Sequence, residues 1–182
     1  MNESDDDLIA RVKGGDIAAF EGIVKRYQDR IYNICVYMLK DRQKAQEAAQ
    51  DVFVKAYGNL KDYQPRASLY TWLYRIAINT SIDYLRKFPP VPMDHGVLAD
   101  LPCGDPSPER CLETRETTTL VQNALQKLPT ELKTAIVLRE IEGLAYEEIA
   151  AVLHVSVGTV KSRISRAREA LRRLLREKSS TE

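Results

Sequence analysis

Apolar residues in this chain recur at spacings of three and four, the period of a helix that turns one face to a core. Phe20, Ile23, Val24, Tyr27, Ile31, Ile34, Cys35 and Met38 keep that rhythm and predict one long amphipathic helix. Ahead of it, Ser4 followed by Asp5, Asp6 and Asp7 predicts a short helix: the hydroxyl accepts an orphan N–H, and the acids suit the positive end of the dipole. Gly14-Gly15 stops that helix, and Asp16 caps the long one. Beyond Asp41, the stripe Ala45, Ala48, Ala49, Val52, Phe53, Ala56, Tyr57 predicts a third helix, ended by a left-handed turn at Gly58-Asn59. A fourth starts after Ser68 and buries Leu69, Trp72, Leu73, Ile76, Ala77 and Leu85, which leaves Tyr70, Tyr74 and Arg75 for exposed contacts. Strand signals are nearly absent, with no Asn-Gly or Asp-Gly hairpin turn, so the expected class is all-α.

Phe88-Pro89-Pro90-Val91-Pro92 ends this pattern, and Pro102, Pro106 and Pro108 keep the next stretch from forming a lasting helix. The expected organisation is two small helical domains, 1–88 and 107–182, joined by a flexible proline-containing linker at 89–106. Ser107-Pro108-Glu109 reads as a helix start running to Leu128-Pro129, and a further helix is expected over about 130–142, ending at Gly143. Then Tyr146 to Leu153, a short turn at His154-Val155, and a last helix opened by Ser156 have the form of a helix-turn-helix. Val157, Val160, Ile164, Ala167 and Leu171 turn inward in that last helix. Thr159, Lys161, Ser162, Arg163, Ser165 and Arg166 turn outward. Such residues suit DNA: Lys161 and Arg163 neutralise phosphates, Arg166 is able to grip the O6/N7 edge of guanine, and Ser156 with the free amides beside it holds a phosphate. The plainer alternative is an amphipathic helix with a solvated basic face.

Charge at first argues the other way. The 182 residues carry 27 Lys plus Arg against 26 Asp plus Glu, a net +1, where a DNA-binding domain usually has a basic excess. The distribution corrects the sum, because between Lys161 and Lys178 eight basic residues face only Glu169 and Glu177. Residues 89–116, with 2 basic and 6 acidic residues, form an acidic connection. Low overall positive charge predicts weak binding to DNA alone and reliance on a partner for affinity. No run free of Asp, Glu, Lys and Arg exceeds the 12 residues Ile149 to Val160, so no membrane span is expected. The acidic N-terminus is unlike a secretory signal, and Cys35, Cys103 and Cys111 are an odd set, both pointing to a cytoplasmic chain with free thiols.

Tyr146-Glu147-Glu148-Ile149-Ala150, followed by Val157-Gly158-Thr159-Val160-Lys161-Ser162-Arg163 and Arg166-Ala167-Arg168, resembles region 4 of bacterial sigma factors of the extracytoplasmic-function (ECF) group. The N-terminal half resembles region 2 of the same family, through Asp51-Val52-Phe53-Val54-Lys55-Ala56-Tyr57 and Thr71-Trp72-Leu73-Tyr74-Arg75-Ile76-Ala77. The resemblance implies an alternative transcription initiation factor, without enzymatic activity or cofactor of its own. Its implied partners are core RNA polymerase (the β′ clamp helices and the β flap), promoter DNA and an anti-sigma factor. It assigns polymerase binding to Glu47, Gln50, Asp51, Val54, Lys55 and Asn59, and minus-10 DNA to Lys61, Tyr63, Tyr70, Tyr74, Arg75, Asn79, Asp83 and Arg86. In that site Asn79 would read a base edge and Tyr63 would offer a stacking surface. Minus-35 DNA falls to Ser156, Thr159, Lys161, Ser162, Arg163, Ser165 and Arg166, and the acidic connection would thread near the polymerase channel. Two positions depart from the family pattern: Ala145 stands where Ser or Thr commonly caps the first helix of the pair, and Ser156 replaces a frequent proline.

Other chemistry is weakly signalled. His95, Cys103 and Cys111 lie eight apart, but zinc ligands usually come as close pairs, four to a structural site. Glu147-Glu148 are adjacent on a helix, which suits solvated acids or polymerase contacts better than acid-base catalysis. The competing functional class is a helix-turn-helix regulator whose N-terminal domain senses a ligand or dimerises. The docking-helix pattern beside Trp72-Leu73-Tyr74-Arg75 favours the sigma reading.

Overall fold

A computed structural model describes residues 3–64, 67–89 and 118–179 of the chain. Helices α1 (Asp5–Lys13), α2 (Ile17–Leu39), α3 (Arg42–Asn59) and α4 (Leu69–Lys87) form an N-terminal unit. A C-terminal unit follows, with α5 at 118–126, α6 (Thr130–Ile136) continuing through a π turn (Val137–Ile141), α7 (Tyr146–Leu153) and α8 (Val157–Ser179). The described residues hold helices and no strand, as the apolar period requires. The helix start at Ser107, the acidic connection and the His95, Cys103, Cys111 series lie outside the described residues.

The caps are those the sequence predicts. Ser4 and Asp7 form a reciprocal capping box, and Asp16, Asp41, Ser68 and Ser156 accept from the amides of Ala19, Lys44, Thr71 and Thr159. Ala145 supplies no side-chain cap, yet Glu148 reaches back to the Ala145 amide at 2.7 Å and satisfies half of a box. Gly143 is left-handed at φ 70°, as its position after a helix demands. The turn expected at Gly58-Asn59 is different: α3 tightens into a 3-10 turn over Leu60–Asp62, with Leu60 right-handed and buried. Burying Leu60 holds the chain in the helical sense, so no left-handed residue is needed.

α2 is the spine of the N-terminal unit. Ile23, Ile31, Ile34, Cys35 and Met38 are fully shielded along it, and α3 packs close because its facing residues Ala45, Ala48 and Ala56 are small. Leu8 of α1 lies so near Gly22 that an added Cβ would meet its side chain at 3.0 Å. Two aromatic expectations change. Trp72 is only half-buried, tilted against Tyr63 with ring centroids 5.1 Å apart, and Tyr57 is 44% exposed at the rim of α3, edge-on to Phe20.

The two units are packed together, and one contiguous apolar cluster runs through both. At the end of α2, Gln122, Gln126 and Lys133 donate to the carbonyls of Val36, Tyr37 and Met38 at 3.3, 3.0 and 3.1 Å. Lys40 adds a hydrogen bond to Asn123. Lys133 is 4% exposed, and burial pushes its ammonium down to about 8.

Two outcomes follow from these contacts. Ser156→Ala removes the α8 cap and is expected to lower stability by about 1 kcal/mol in denaturant unfolding. Because the folded pKa of Lys133 lies below its ordinary 10.5, the folded chain binds fewer protons there; stability should therefore rise as pH climbs from about 8 toward 10.5. Thermal unfolding against pH is expected to show that slope in the wild type and lose it in Lys133→Met.

Candidate polymerase and nucleic-acid interfaces

Three surfaces carry the residues singled out in the sequence. The first is the outer face of α3. Glu47, Gln50, Asp51, Val54, Lys55 and Asn59 are all exposed, and Val54, at 71%, is a bare apolar residue framed by polar ones. Asp51 and Lys55 are held from behind: Tyr84 donates to Asp51 at 2.8 Å, and Lys55 donates to Thr80 at 3.0 Å. Burial, then the bond to Asp51, pushes the Tyr84 phenol up to about 12, so it stays a donor. Both tethers lead to α4, so the α3 face and α4 form one rigid piece.

The second surface is α4 with the turn before it. Lys61, Asn79, Asp83 and Arg86 are exposed, the last two forming a loose i,i+3 pair at 3.9 Å. Two aromatic residues of this set, Tyr63 and Tyr74, are buried. Tyr63 is 7% exposed and donates to the Ala67 carbonyl at 2.6 Å, since its ring is used to close the turn against Trp72. Tyr74 is fully buried, hydrogen-bonded to Arg30 of its own unit, and Glu142 of the C-terminal unit accepts its hydroxyl at 2.7 Å. Burial first, and that bond next, raise the Tyr74 phenol well above its usual range; burial also raises Glu142, against the opposing pull of Tyr74 and Arg30. Tyr70 donates to Glu148, and Arg75 donates to the Ala151 carbonyl at 2.9 Å, while its buried Nε has no hydrogen-bond partner among the described residues.

The third surface is the start of α8. Val160, Ile164 and Ala167 are buried against α6 and α7, while Val157 and Leu171 are half-buried. Ser156, Lys161, Ser162, Ser165 and Arg166 are exposed, and Thr159 is half-buried beside the cap. Arg163 departs from the expected outward set. It is half-buried and lines a cleft of about 630 Å³ between the units, opposite Arg75 and Asn79 of α4. The described residues hold no group of three or more His, Cys, Asp or Glu able to bind a metal, and no helix long and apolar enough to cross a membrane.

Sequence reasoning missed Glu142, Gln122, Gln126 and Lys133, and read Glu148 as a solvated acid or a polymerase contact. Each has a partner in the other unit, and no local pattern marks a polar side chain that finds its hydrogen-bond partner some seventy to a hundred residues away.

Residues 23–87 match the family described as Sigma-70 region 2, and residues 118–171 match Sigma-70, region 4. The chain is 43% identical over 182 residues to the RNA polymerase sigma-H factor of Pseudomonas aeruginosa, covering 95% of this chain and 94% of that one. It is 38% identical to the ECF RNA polymerase sigma factor SigW of Bacillus subtilis over 93% and 95% of the two chains. Among solved structures, CnrH in complex with the cytosolic domain of CnrY is similar at TM-score 0.71 and 29% identity, over 93% and 96% of the chains. The Bartonella quintana factor RpoE, in complex with the anti-sigma factor NepR, shares the fold at TM-score 0.69 and 24% identity, over 88% and 98%. With two family regions in order and relatives spanning nearly the whole chain, the protein belongs to the ECF group of the sigma-70 family of RNA polymerase sigma factors.

Proposed function

We propose that this chain binds core RNA polymerase and directs it to a specific set of promoters in the cytoplasm, with the polymerase performing the chemistry. The observation that carries this reading is the order of the two regions on one chain, residues 23–87 then 118–171, each bearing an exposed face of matching chemistry. The α3 face offers an apolar centre, Val54, within a polar frame from Glu47 to Asn59, which suits a helical partner such as the β′ clamp helices. The tethers from α3 to α4 make polymerase docking and placement of the promoter-reading helix a single event.

In this account the exposed Asn79, with Lys61 and Arg86, meets single-stranded minus-10 DNA, where an unpaired base is read on its edge. Tyr70, Tyr74 and Arg75 join that face once the C-terminal unit leaves it. Residues 107–182 carry the minus-35 function, with the β flap as their polymerase contact. The N-terminus of α8 enters the major groove: Lys161 neutralises a phosphate, Arg166 reads a base, and Ser156, Ser162 and Ser165 add polar contacts. Control by an anti-sigma factor is supported by the similar CnrH, solved in complex with CnrY. A ligand-sensing regulator is set aside because the N-terminal half matches region 2.

Run-off transcription on genomic promoter fragments with purified core polymerase tests the reading. A promoter-dependent transcript is expected, and its absence on every promoter would refute it. Arg166→Ala should relax base preference at one minus-35 position by about 1–3 kcal/mol. Lys161→Ala should weaken binding to all sequences and lower the salt slope by about one. Competition binding across minus-35 variants, repeated over a salt series, separates the two.

A further inference from the structure

The cleft of about 630 Å³ between the units is unbalanced in charge. Its walls carry Arg75 and Arg86 from α4, Lys133 from α6 and Arg163 from α8, against a single carboxylate, that of the exposed Glu131. Three of these cations lack an anionic partner inside it. Arg75 donates from one terminal nitrogen to the Ala151 carbonyl, but its Nε is buried with no hydrogen-bond partner among the described residues. A buried donor left unmet is unfavourable, so an acceptor entering the cleft is favoured there. Arg163 is half-buried, with no hydrogen-bond or ion-pair partner among the described residues. Lys133 has two acceptors, the Met38 carbonyl and the Gln126 side-chain oxygen, and both are neutral. Burial therefore pushes its ammonium down to about 8, a cost that an anion alongside would offset.

We propose that this cleft is a binding site for a nucleotide, whose phosphates are held by Arg75 and Arg163 and whose base lies on the apolar wall beside Asn79. The volume falls within the range of about 300–1,000 Å³ found for small-molecule sites. The apolar wall is made by Ile82 and Leu85 of α4 with Leu128 and Leu153 of the other unit. Planar guanidinium groups match phosphate oxygens in pairs, and several cations suit a polyanion better than the single charge of a fatty acid. Asn79 offers a donor and an acceptor to a base edge, which an alkyl chain would leave unused. The site is incomplete in either unit alone, because Arg75 comes from one and Arg163 and Lys133 from the other. Bound nucleotide therefore stabilises the folded chain by mass action. None of this depends on the assignment of α4 to promoter DNA.

Calorimetric titration of the full-length chain with ATP, inorganic triphosphate and adenosine tests the two halves of the ligand separately, with thermal unfolding followed beside it. ATP is expected to bind at a single site and raise the melting temperature. Triphosphate, which has no base to lay on the apolar wall, should bind about tenfold more weakly, and adenosine more weakly again. Arg163→Ala removes a cation from the cleft and should lower ATP affinity by about tenfold, with folding checked by circular dichroism. Arg173→Ala removes the same charge from an exposed position on the same helix, outside the cleft, and should leave the affinity unchanged. Three results would overturn the proposal. The first is a chain that binds no ATP. The second is triphosphate binding as tightly as ATP, which marks a site for free phosphates. The third is equal weakening by Arg163→Ala and Arg173→Ala, which marks general attraction to a basic helix.

Discussion

A helix that ends leaves its last carbonyls without partners, and at the end of α2 those partners come from the other half of the chain. Gln122, Gln126 and Lys133 each take one carbonyl, while the backbone of Lys40, left-handed at φ 53°, shares that of Val36. Lys133 brings a cation to the negative end of the α2 dipole, which offsets part of the cost of burying it. With this contact in place, the π turn and α7 lie against α4, and Glu142 and Glu148 meet the tyrosines. Remove it, and the donors of α4 are free for another acceptor.

This arrangement ties together features that look separate along the chain. The α3 face is open, with Val54 bare, while the α4 face beside it is partly covered. Under the proposed function, polymerase would be met first and DNA second, and the hydrogen bonds of Asp51 and Lys55 to Tyr84 and Thr80 would link the polymerase-binding face to α4. The weak overall charge acts in the same direction, since a chain with a net charge of +1 has little long-range attraction for DNA before polymerase supplies it.

Much of the fold was legible because it is set by local rules. The caps at Ser4, Asp16, Asp41, Ser68 and Ser156, the stop at Gly143 and the apolar stripe of α2 depend on neighbours within a few residues, and they occur as read. The exposed α3 face was legible for the same reason. Legibility failed where the two units meet. Tyr74 was read as an exposed contact, but it shares the inward phase of Ala77, Ile78 and Ser81, is hydrogen-bonded to Arg30 of α2, and gives its hydroxyl proton to Glu142 of the other unit. Tyr63 was judged by its chemistry as a stacking ring, but its hydroxyl is tied to Ala67 and its ring to Trp72. Glu142 directly follows a π turn, whose extra residue shifts the helical phase and spoils any pattern that counts in threes and fours.

The central claim is that the face which reads the promoter is the face on which the C-terminal unit rests, so that polymerase must separate the units. Energy transfer between dyes at the exposed Glu21 of α2 and Arg172 of α8, followed as core polymerase is added to the free chain, measures that separation directly. The account predicts high transfer in the free chain and a fall that saturates with polymerase binding. Transfer that is already low in the free chain, or that stays unchanged in the polymerase complex, would contradict it.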